Sequence, residues 1–347
     1  MKRRIVLAVL AVVIAAIIVP ALSSCGGAAQ KLYLFNWIYY IPDDVITDFT
    51  KETGIQVVVD SYASNEEMYN KIVAGGSGYD LVVPSGDYVS IMAAEGLVQP
   101  INKANLKNFG NIDPAAIARI GFDKGNKYSV PYMMGAAGIA VNRTKVTGYD
   151  HSWNIFERTD LKGRMTMLDD MREVLGAALK YLGYSVNDPD PAHLEQARQV
   201  VERWKPNLVK FDAEAFAKSF ASGEFWVVQG YAENVFLEYP EDKRADVDFF
   251  FPKEGTPMYM DNFCILKGAK NVNAAYKFID YILRPDIAAR IADYLMIPSP
   301  NLPARALMKV KPNYQFDDLA NSEFKEDLGQ ETLKLYNDVW RRIRVGN

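Results

Sequence analysis

Aromatic rings stand beside acids at several places in this 347-residue chain. Residues 35–40, FNWIYY, hold four rings in six positions, and two aspartates follow shortly after. Ammonium groups donate hydrogen bonds to anionic acceptors, ring faces attract cations by about 0.5 to 2 kcal/mol, and methylene spacers pack on flat rings. The pattern therefore favours an organic polycation as ligand. It recurs at Asp87 beside Tyr88, at Asp170, at Tyr231, and at Tyr259 with Asp261.

Catalytic motifs are sparse in the sequence. Neither of the two histidines, His151 and His193, has a metal-ligand partner four residues further on. The chain also lacks a Gly-x-Ser-x-Gly elbow and a phosphate-binding Gly-Lys-Ser/Thr loop. We expect no enzyme, no cofactor and no metal. An extracytoplasmic hydrolase stays open as an alternative that would need a nucleophile–base pair, and ferric-ion capture by Tyr39 and Tyr40 is a weaker one.

The first 25 residues have the features of an export signal. Three cations at positions 2–4 precede an apolar run over residues 5–19, and small residues then lead to Leu-Ser-Ser-Cys at 22–25. The run is shorter than the ~20 residues that a spanning helix needs. We predict a signal peptide over 1–24, a lipid on Cys25, a linker over 25–30 and a periplasmic, lipid-anchored protein. An uncleaved anchor with an incidental cysteine is the alternative.

Charge and length narrow the class of protein further. The net charge of −4 argues against nucleic acid as a partner. The length exceeds one ordinary core and predicts two domains. The second cysteine, Cys264, lies in the apolar run FCIL and is predicted to be a small buried residue.

Strands and helices alternate along the chain, which predicts an α/β fold with parallel strands. In the first half, strands are predicted over residues 31–36, 55–59 (buried) and 80–84, with a helix from Pro42 to Gly54 and another capped by Asn65. In the second half, 135–142 reads as a strand that crosses between domains. The remaining predicted strands are 225–231, 247–251 and 262–266, and the helices are 172–182, 191–204, 272–283, 285–295 and 331–344. Ligands bind at the carboxyl ends of strands in such sheets, where NWIYY and PSGDY fall.

Four stretches resemble the periplasmic polyamine-binding proteins, the spermidine and putrescine receptors of ABC importers. They are LFNWIYYIPDDVITDFTKETGI, YDLVVPSGDYV, MLDDMREVLGAALKYLGY and YILRPDIAARIADYLMIPSPN, in the family's order and spacing. The resemblance implies the two-lobed periplasmic-binding-protein fold of type II, with mixed, mainly parallel sheets joined by crossing strands. It implies an N-lobe of residues 31–138 and 259–303 and a C-lobe of 139–258 and 304–347. It also implies a monomer that delivers a polyamine to an ABC permease.

The family's ligand-binding residues carry over onto ten positions of this chain. Asp170 and Glu173 would bind amines, and Asp261 would hold one amine of the ligand. Tyr231 and Tyr259 stand where the family usually has Trp, which keeps the ring face but weakens its attraction for a cation. The full predicted set is Trp37, Tyr40, Ser85, Asp87, Asp170, Glu173, Tyr231, Tyr259, Asp261 and Lys325.

Four positions depart from the family pattern. Tyr39 replaces an acid, Ile297 replaces a pocket tyrosine, and Asp87 replaces an aromatic or small residue. Lys325 stands where spermidine receptors carry Gln; pointing inward, it would repel a third ammonium group. These departures leave the preferred length of the polyamine open.

Structural roles compete with ligand binding at several of these residues. Trp37 and Tyr40 could be core rings, and Asp170 and Glu173 could serve only the helix that follows them. Asp87 is equally well placed as a helix cap, and Lys325 reads more readily as a solvated surface residue. At the level of function, the alternatives to a polyamine are another small cationic or amino-acid-like solute, and a surface lipoprotein that binds only protein partners.

Overall fold

The computed structural model describes residues 30–75 and 78–345. The predicted signal peptide and the lipid on Cys25 lie outside the described residues. None of the helices within the described ranges is long and apolar enough to cross a membrane.

Strands alternate with helices as the sequence pattern predicts. The strands are β1 (Lys31–Trp37), β2 (Gln56–Tyr62), β3 (Leu81–Val82), β4 (Val130–Ala136), β5 (Gly138–Asn142), β6 (Met165–Met167), β7 (Leu208–Phe211), β8 (Val227–Gly230), β9 (Val247–Phe250), β10 (Pro257–Ile265) and β11 (Glu323–Phe324). The helices are α1 (Asp43–Thr53), α2 (Asn65–Val73), α3 (Gly86–Ala94), α4 (Pro114–Ala118), α5 (Met171–Tyr181), α6 (Pro191–Trp204), α7 (Phe216–Ala221), α8 (Ala232–Glu238), α9 (Val272–Ile282), α10 (Pro285–Leu295) and α11 (Gly329–Val345). Short 3₁₀ turns connect several of them.

Two mixed sheets organise these elements. The first has the order β11-β10-β3-β1-β2, with β4 also paired to β10, and the second has the order β7-β6-β8-β5-β9. In the first sheet, β1 runs parallel to β2 and β3, whereas β10 runs antiparallel to β3 and β4. In the second, β6 runs parallel to β7 and β8, and β5 antiparallel to β8 and β9. We call the half around the first sheet the N-lobe and the other half the C-lobe.

Crossing segments join the two lobes. The predicted crossing strand over 135–142 is confirmed as two strands in different sheets, β4 and β5, on either side of Ala137. A second crossing connects β9 to β10, and there the Thr256 hydroxyl donates to the Ala137 carbonyl at 2.6 Å. β11 belongs to the first sheet through its pairing with β10, although the segment that carries it, residues 304–347, was predicted for the C-lobe. This segment therefore connects the two lobes.

Several helices begin at a proline or end at a glycine, as the sequence predicts. Pro285 and Pro191 each occupy the first turn of the helix that they were predicted to begin, because a fixed φ and a missing N–H are tolerated there. Gly54 ends α1 in the left-handed conformation, at a φ of 71°. Cys264 is fully buried in β10, which confirms its predicted place in the core.

Two local predictions are wrong. The strand around residues 55–59 is not buried: β2 is the edge strand of its sheet, and most of its residues, including Val58 and Val59, are exposed. Asn65 does not cap α2, because the hydroxyl of Ser64 accepts the Glu67 N–H instead. Asn65 is buried, and its side-chain oxygen accepts the backbone N–H of Ser85 at 3.1 Å.

Candidate ligand-binding site

Asp261 of β10 is the buried acid on the N-lobe side of the site. Its side chain accepts hydrogen bonds from the hydroxyls of Tyr40 at 2.7 Å and Ser85 at 2.6 Å. Only 4% of the residue is exposed. Burial disfavours the charged form and raises the pKa of Asp261 to about 6, even though the two hydroxyl donors lower it.

The shape of β10 directs this acid. Tyr259 and Asp261 are two residues apart and so lie on one face of the strand. The pairing of β10 with β4 shifts register between Asp261 and Asn262, a bulge of the kind that re-aims a side chain. Beyond the bulge, the Asn262 N–H donates to the carbonyl of Pro84, beside Ser85, at 2.9 Å.

Trp37 and Ser85 are held by the backbone of the N-lobe. The indole N–H of Trp37 donates to the Val83 carbonyl at 2.8 Å, and its ring lies 4.7 Å from that of Tyr62. Ser85 precedes α3 without capping it through its side chain, which leaves the hydroxyl for Asp261. Trp37 is half-buried, so the alternative of a purely core ring does not describe it fully.

Asp87 lies in the first turn of α3 and is buried. It does not cap the helix, since the N-cap position belongs to Ser85. Among the described residues, its Oδ1 has no hydrogen-bond partner. A buried, unpartnered carboxylate oxygen is costly unless a cation meets it.

On the C-lobe side, Asp170 begins α5. Its Oδ1 accepts the N–H groups of Arg172 at 2.8 Å and Glu173 at 3.0 Å, so the predicted capping role is confirmed. Only one of its two oxygens is used in this way. Its role in ligand binding stays a prediction.

Glu173 does not act as a cap. It is completely buried, and its Oε1 accepts the Lys325 ammonium at 2.6 Å and the Tyr231 hydroxyl at 3.3 Å. Within the described residues, its Oε2 has no partner. Burial raises the pKa of Glu173, although Lys325 opposes the shift.

The interpretation of Lys325 as a solvated surface residue is wrong. Only 8% of the residue is exposed, and its ammonium is ion-paired with Glu173. Lys325 is buried because of the tertiary structure. The strand immediately before it, β11, pairs with β10 and thereby places Lys325 between the lobes. Two other positions that differ from the family pattern lie away from Glu173 and Lys325. Tyr39 is exposed at a φ of 57°, and Ile297 is part of the apolar core.

Tyr231 and Tyr259 meet across the lobes. Their rings lie edge to face with centroids 5.7 Å apart. The Tyr259 hydroxyl, from the N-lobe sheet, donates to Oε1 of Glu233 in α8 of the C-lobe at 2.8 Å. The region enclosed by these residues, Asp261 and Glu173 is called the cleft below.

The sequence analysis missed Glu233. It is buried, and its environment raises the pKa of its carboxyl to about 7, chiefly through burial. A signal was present in the sequence, because Tyr231-x-Glu233 repeats the spacing of Tyr259-x-Asp261. Glu233 starts a helix, however, and an acid in a first turn is common for reasons of the helix dipole alone.

Acids outnumber cations in the cleft. Five carboxyl groups line or approach it, and the Lys325 ammonium is hydrogen-bonded to one of them, Glu173. Such a site attracts cations, and the rings beside it offer flat apolar walls. The five are Asp87, Asp170, Glu173, Glu233 and Asp261.

Comparison with known proteins gives the class that this fold and site define. The chain belongs to the bacterial extracellular solute-binding proteins, whose family model matches residues 44–318. The spermidine/putrescine-binding periplasmic protein of Escherichia coli is 37% identical over 325 residues, which cover 91% of this chain and 92% of that protein. This relationship confirms the resemblance to polyamine-binding proteins.

Solved structures place the chain in the same group. The Tp0655 lipoprotein of Treponema pallidum superposes with a TM-score of 0.87 at 46% identity, over 90% of this chain and 99% of that one. The spermidine/putrescine ABC transporter substrate-binding protein of Streptococcus pneumoniae gives a TM-score of 0.80 at 31% identity, over 91% and 98%. The predicted two-lobed α/β fold is therefore confirmed.

Proposed function

We propose that this chain captures a polyamine, putrescine or spermidine, in the cleft and delivers it to an ABC permease. The observation that carries the proposal is the meeting of rings and acids from both lobes at one place. Tyr259 and Asp261 come from the N-lobe sheet, and Tyr231, Glu173 and Glu233 from the C-lobe. The names of the relatives, spermidine/putrescine-binding proteins, support the same ligand class.

Typical interaction energies indicate that neither aromatic rings nor acids alone would bind a polyamine tightly. Burial of a four-carbon spacer contributes roughly 3 kcal/mol at about 0.8 kcal/mol per methylene. Each charge-assisted hydrogen bond contributes about 1.5 to 3 kcal/mol, but each ammonium taken from water needs a carboxylate. After the cost of association, a net of about 8 kcal/mol corresponds to micromolar affinity.

Because the ligand binds between the two lobes, closure of the lobes would tell the permease that the ligand is bound. A ligand that contacts both lobes favours the closed arrangement, which the permease would then recognise. We propose lobes at 31–138 with 259–303 and at 139–258 with 304–347. We also propose that the protein is a monomer held at the outer face of the inner membrane, or in the outer membrane, by lipid on Cys25. Mass spectrometry of the mature protein and of Cys25→Ser tests the anchor, because only the former should carry lipid.

Calorimetric titration tests the ligand class. Putrescine, cadaverine, spermidine and spermine are titrated in parallel, with L-lysine as an amino-acid-like cation for comparison. We expect micromolar binding of at least one polyamine and weaker binding of lysine, and mass spectrometry should recover the ligand intact. Tight binding of lysine alone would favour the other solute class, a cleaved ligand would favour a hydrolase, and no heat with any of them would contradict the proposal.

A further inference from the structure

The ammonium group of Lys325 is a permanent cation inside the cleft. It lies 2.6 Å from Oε1 of Glu173, and both side chains are buried. Burial lowers the pKa of Lys325, but the carboxylates around it, above all Glu173, outweigh burial and hold this pKa above its ordinary value. The group therefore stays charged at every pH at which the protein is expected to work.

The backbone around Lys325 is fixed from both lobes. Its N–H donates to the Met258 carbonyl of β10 at 3.1 Å. On the C-lobe side, the Asn187 amide donates to the Phe324 carbonyl at 2.8 Å and accepts the Glu326 N–H at 2.9 Å. These bonds fix the backbone at Lys325, and the side chain itself is held in the cleft by its ion pair with Glu173.

Lys325 uses acceptors that a ligand would otherwise use. Glu173 gives one oxygen to it, and Asp170 gives one oxygen to the start of α5. The carboxylate oxygens that are buried and unpartnered among the described cleft residues are Oε2 of Glu173 and Oδ1 of Asp87. Asp261 remains a further acceptor, already bonded to two hydroxyls.

We infer that Lys325 takes the place of one ligand ammonium group, so that the cleft selects a diamine over a triamine. A third ammonium would have to share the carboxylates of Lys325 and lie beside a like charge, and repulsion of this kind is an effective means of rejecting a wrong ligand. The inference rests on the proposed function and specifies its ligand.

The test compares putrescine with spermidine by calorimetric titration of the whole mature protein. The wild type should bind putrescine at least about tenfold more tightly than spermidine, a difference of 1.4 kcal/mol. Lys325→Gln should reduce this preference at least about tenfold, mainly by tightening the binding of spermidine, whereas Lys325→Arg keeps the charge and should keep the preference. Lys180→Gln is the matched control, because Lys180 is an ion-paired lysine whose partner, Glu323, lies on the same segment.

The possible results separate the two claims. If the wild type binds neither polyamine, the proposed function and this inference both fail. If it binds spermidine as tightly as putrescine, or if Lys325→Gln leaves the ratio unchanged, only this inference fails. If Lys325→Gln does not fold because Glu173 is left unpaired, the double variant Glu173→Gln/Lys325→Gln replaces both partners of the ion pair. The preference of this double variant for putrescine over spermidine must also be smaller than that of the wild type.

Discussion

At the scale of single residues, the cleft depends on acids whose charge is only partly compensated by the protein. Asp261 receives two neutral hydroxyl donors and Glu233 receives one. Neutral donors stabilise a buried carboxylate less than a cation does. A bound ammonium group would therefore complete these sites, whereas an empty cleft leaves them with raised pKa values.

Replacing the acid by its amide tests this role at Asp261. Asp261→Asn keeps the size of the side chain but removes the charge, and its NH2 group can only donate to one of the two hydroxyls that now donate to Asp261, those of Tyr40 and Ser85. We expect putrescine to bind at least about tenfold more weakly, or 1.4 kcal/mol, by calorimetric titration. Asp60→Asn, an exposed acid of β2, should leave binding unchanged; equal affinities of Asp261→Asn and the wild type would contradict the assignment.

The raised pKa of Glu233 predicts a pH-dependent stability. Because this pKa is about 7 in the folded protein, the folded state retains a proton that the unfolded chain releases near its ordinary value of about 4.3. The contribution of Glu233 is therefore full below the unfolded value and is lost as pH rises through about 7. Without ligand, Glu233→Gln should be stabilised relative to the wild type by roughly 2 to 3 kcal/mol at pH 8.5, and much less at pH 5.

Thermal and denaturant unfolding at the two pH values measure this difference. Glu238→Gln is the control, since Glu238 is an exposed acid on the same helix, α8. A stability difference between wild type and Glu233→Gln that does not grow with pH would show that the Glu233 carboxyl titrates normally.

Sequence reasoning named most of the residues that the structure brings together, but not their arrangement. The pattern of rings beside acids pointed to Asp261, Tyr231 and Tyr259. The direction of Lys325 was not predictable, because it depends on pairing between β11 and β10, which lie about 60 positions apart in the chain. Glu233 was missed since its spacing from Tyr231 gains meaning only when both lobes are seen together.

At the scale of elements, the strands that cross between the lobes are the parts that position the site. β10 carries Tyr259 and Asp261 and pairs with β3, β4 and β11. The bounds of α6 and α10, which both begin with proline, were predicted to the residue, because proline marks a first turn. The burial of β2 was predicted wrongly, because an apolar β-branched strand has the same sequence pattern at the edge of a sheet and in its centre.

Gly255, in the crossing segment before β10, tests the importance of this connection. Its φ is 91°, and an added Cβ would lie 1.9 Å from the Asn321 carbonyl oxygen. Gly54 is a suitable control, with a φ of 71° and open space around it. Gly54→Ala should cost about 1 to 2 kcal/mol from the left-handed backbone alone, and Gly255→Ala clearly more, by chemical denaturation. Equal losses would mean that the crossing segment yields without cost.

At the scale of the whole molecule, two contacts between the lobes lie in the cleft: the hydrogen bond between Tyr259 and Glu233, and the edge-to-face contact of the Tyr231 and Tyr259 rings. The same residues would therefore bind the ligand and hold the lobes together. We propose that this arrangement is the closed state that a polyamine favours.

Small-angle X-ray scattering measures this closure. Saturating putrescine should reduce the radius of gyration to that of the arrangement described above, because the ligand adds contacts to both lobes. Ammonium chloride at equal ionic strength is the control. Identical scattering with and without putrescine, at concentrations that saturate the titration, would exclude closure as the response to binding.

A crystal structure grown with saturating putrescine tests the central claim most directly. We predict one diamine in the cleft, with its methylene chain against Tyr231, Tyr259 or Trp37 and an ammonium group within hydrogen-bond distance of Asp261. Putrescine bound elsewhere on the molecule, or a cleft without ligand under conditions in which calorimetry shows full occupancy, would contradict the account.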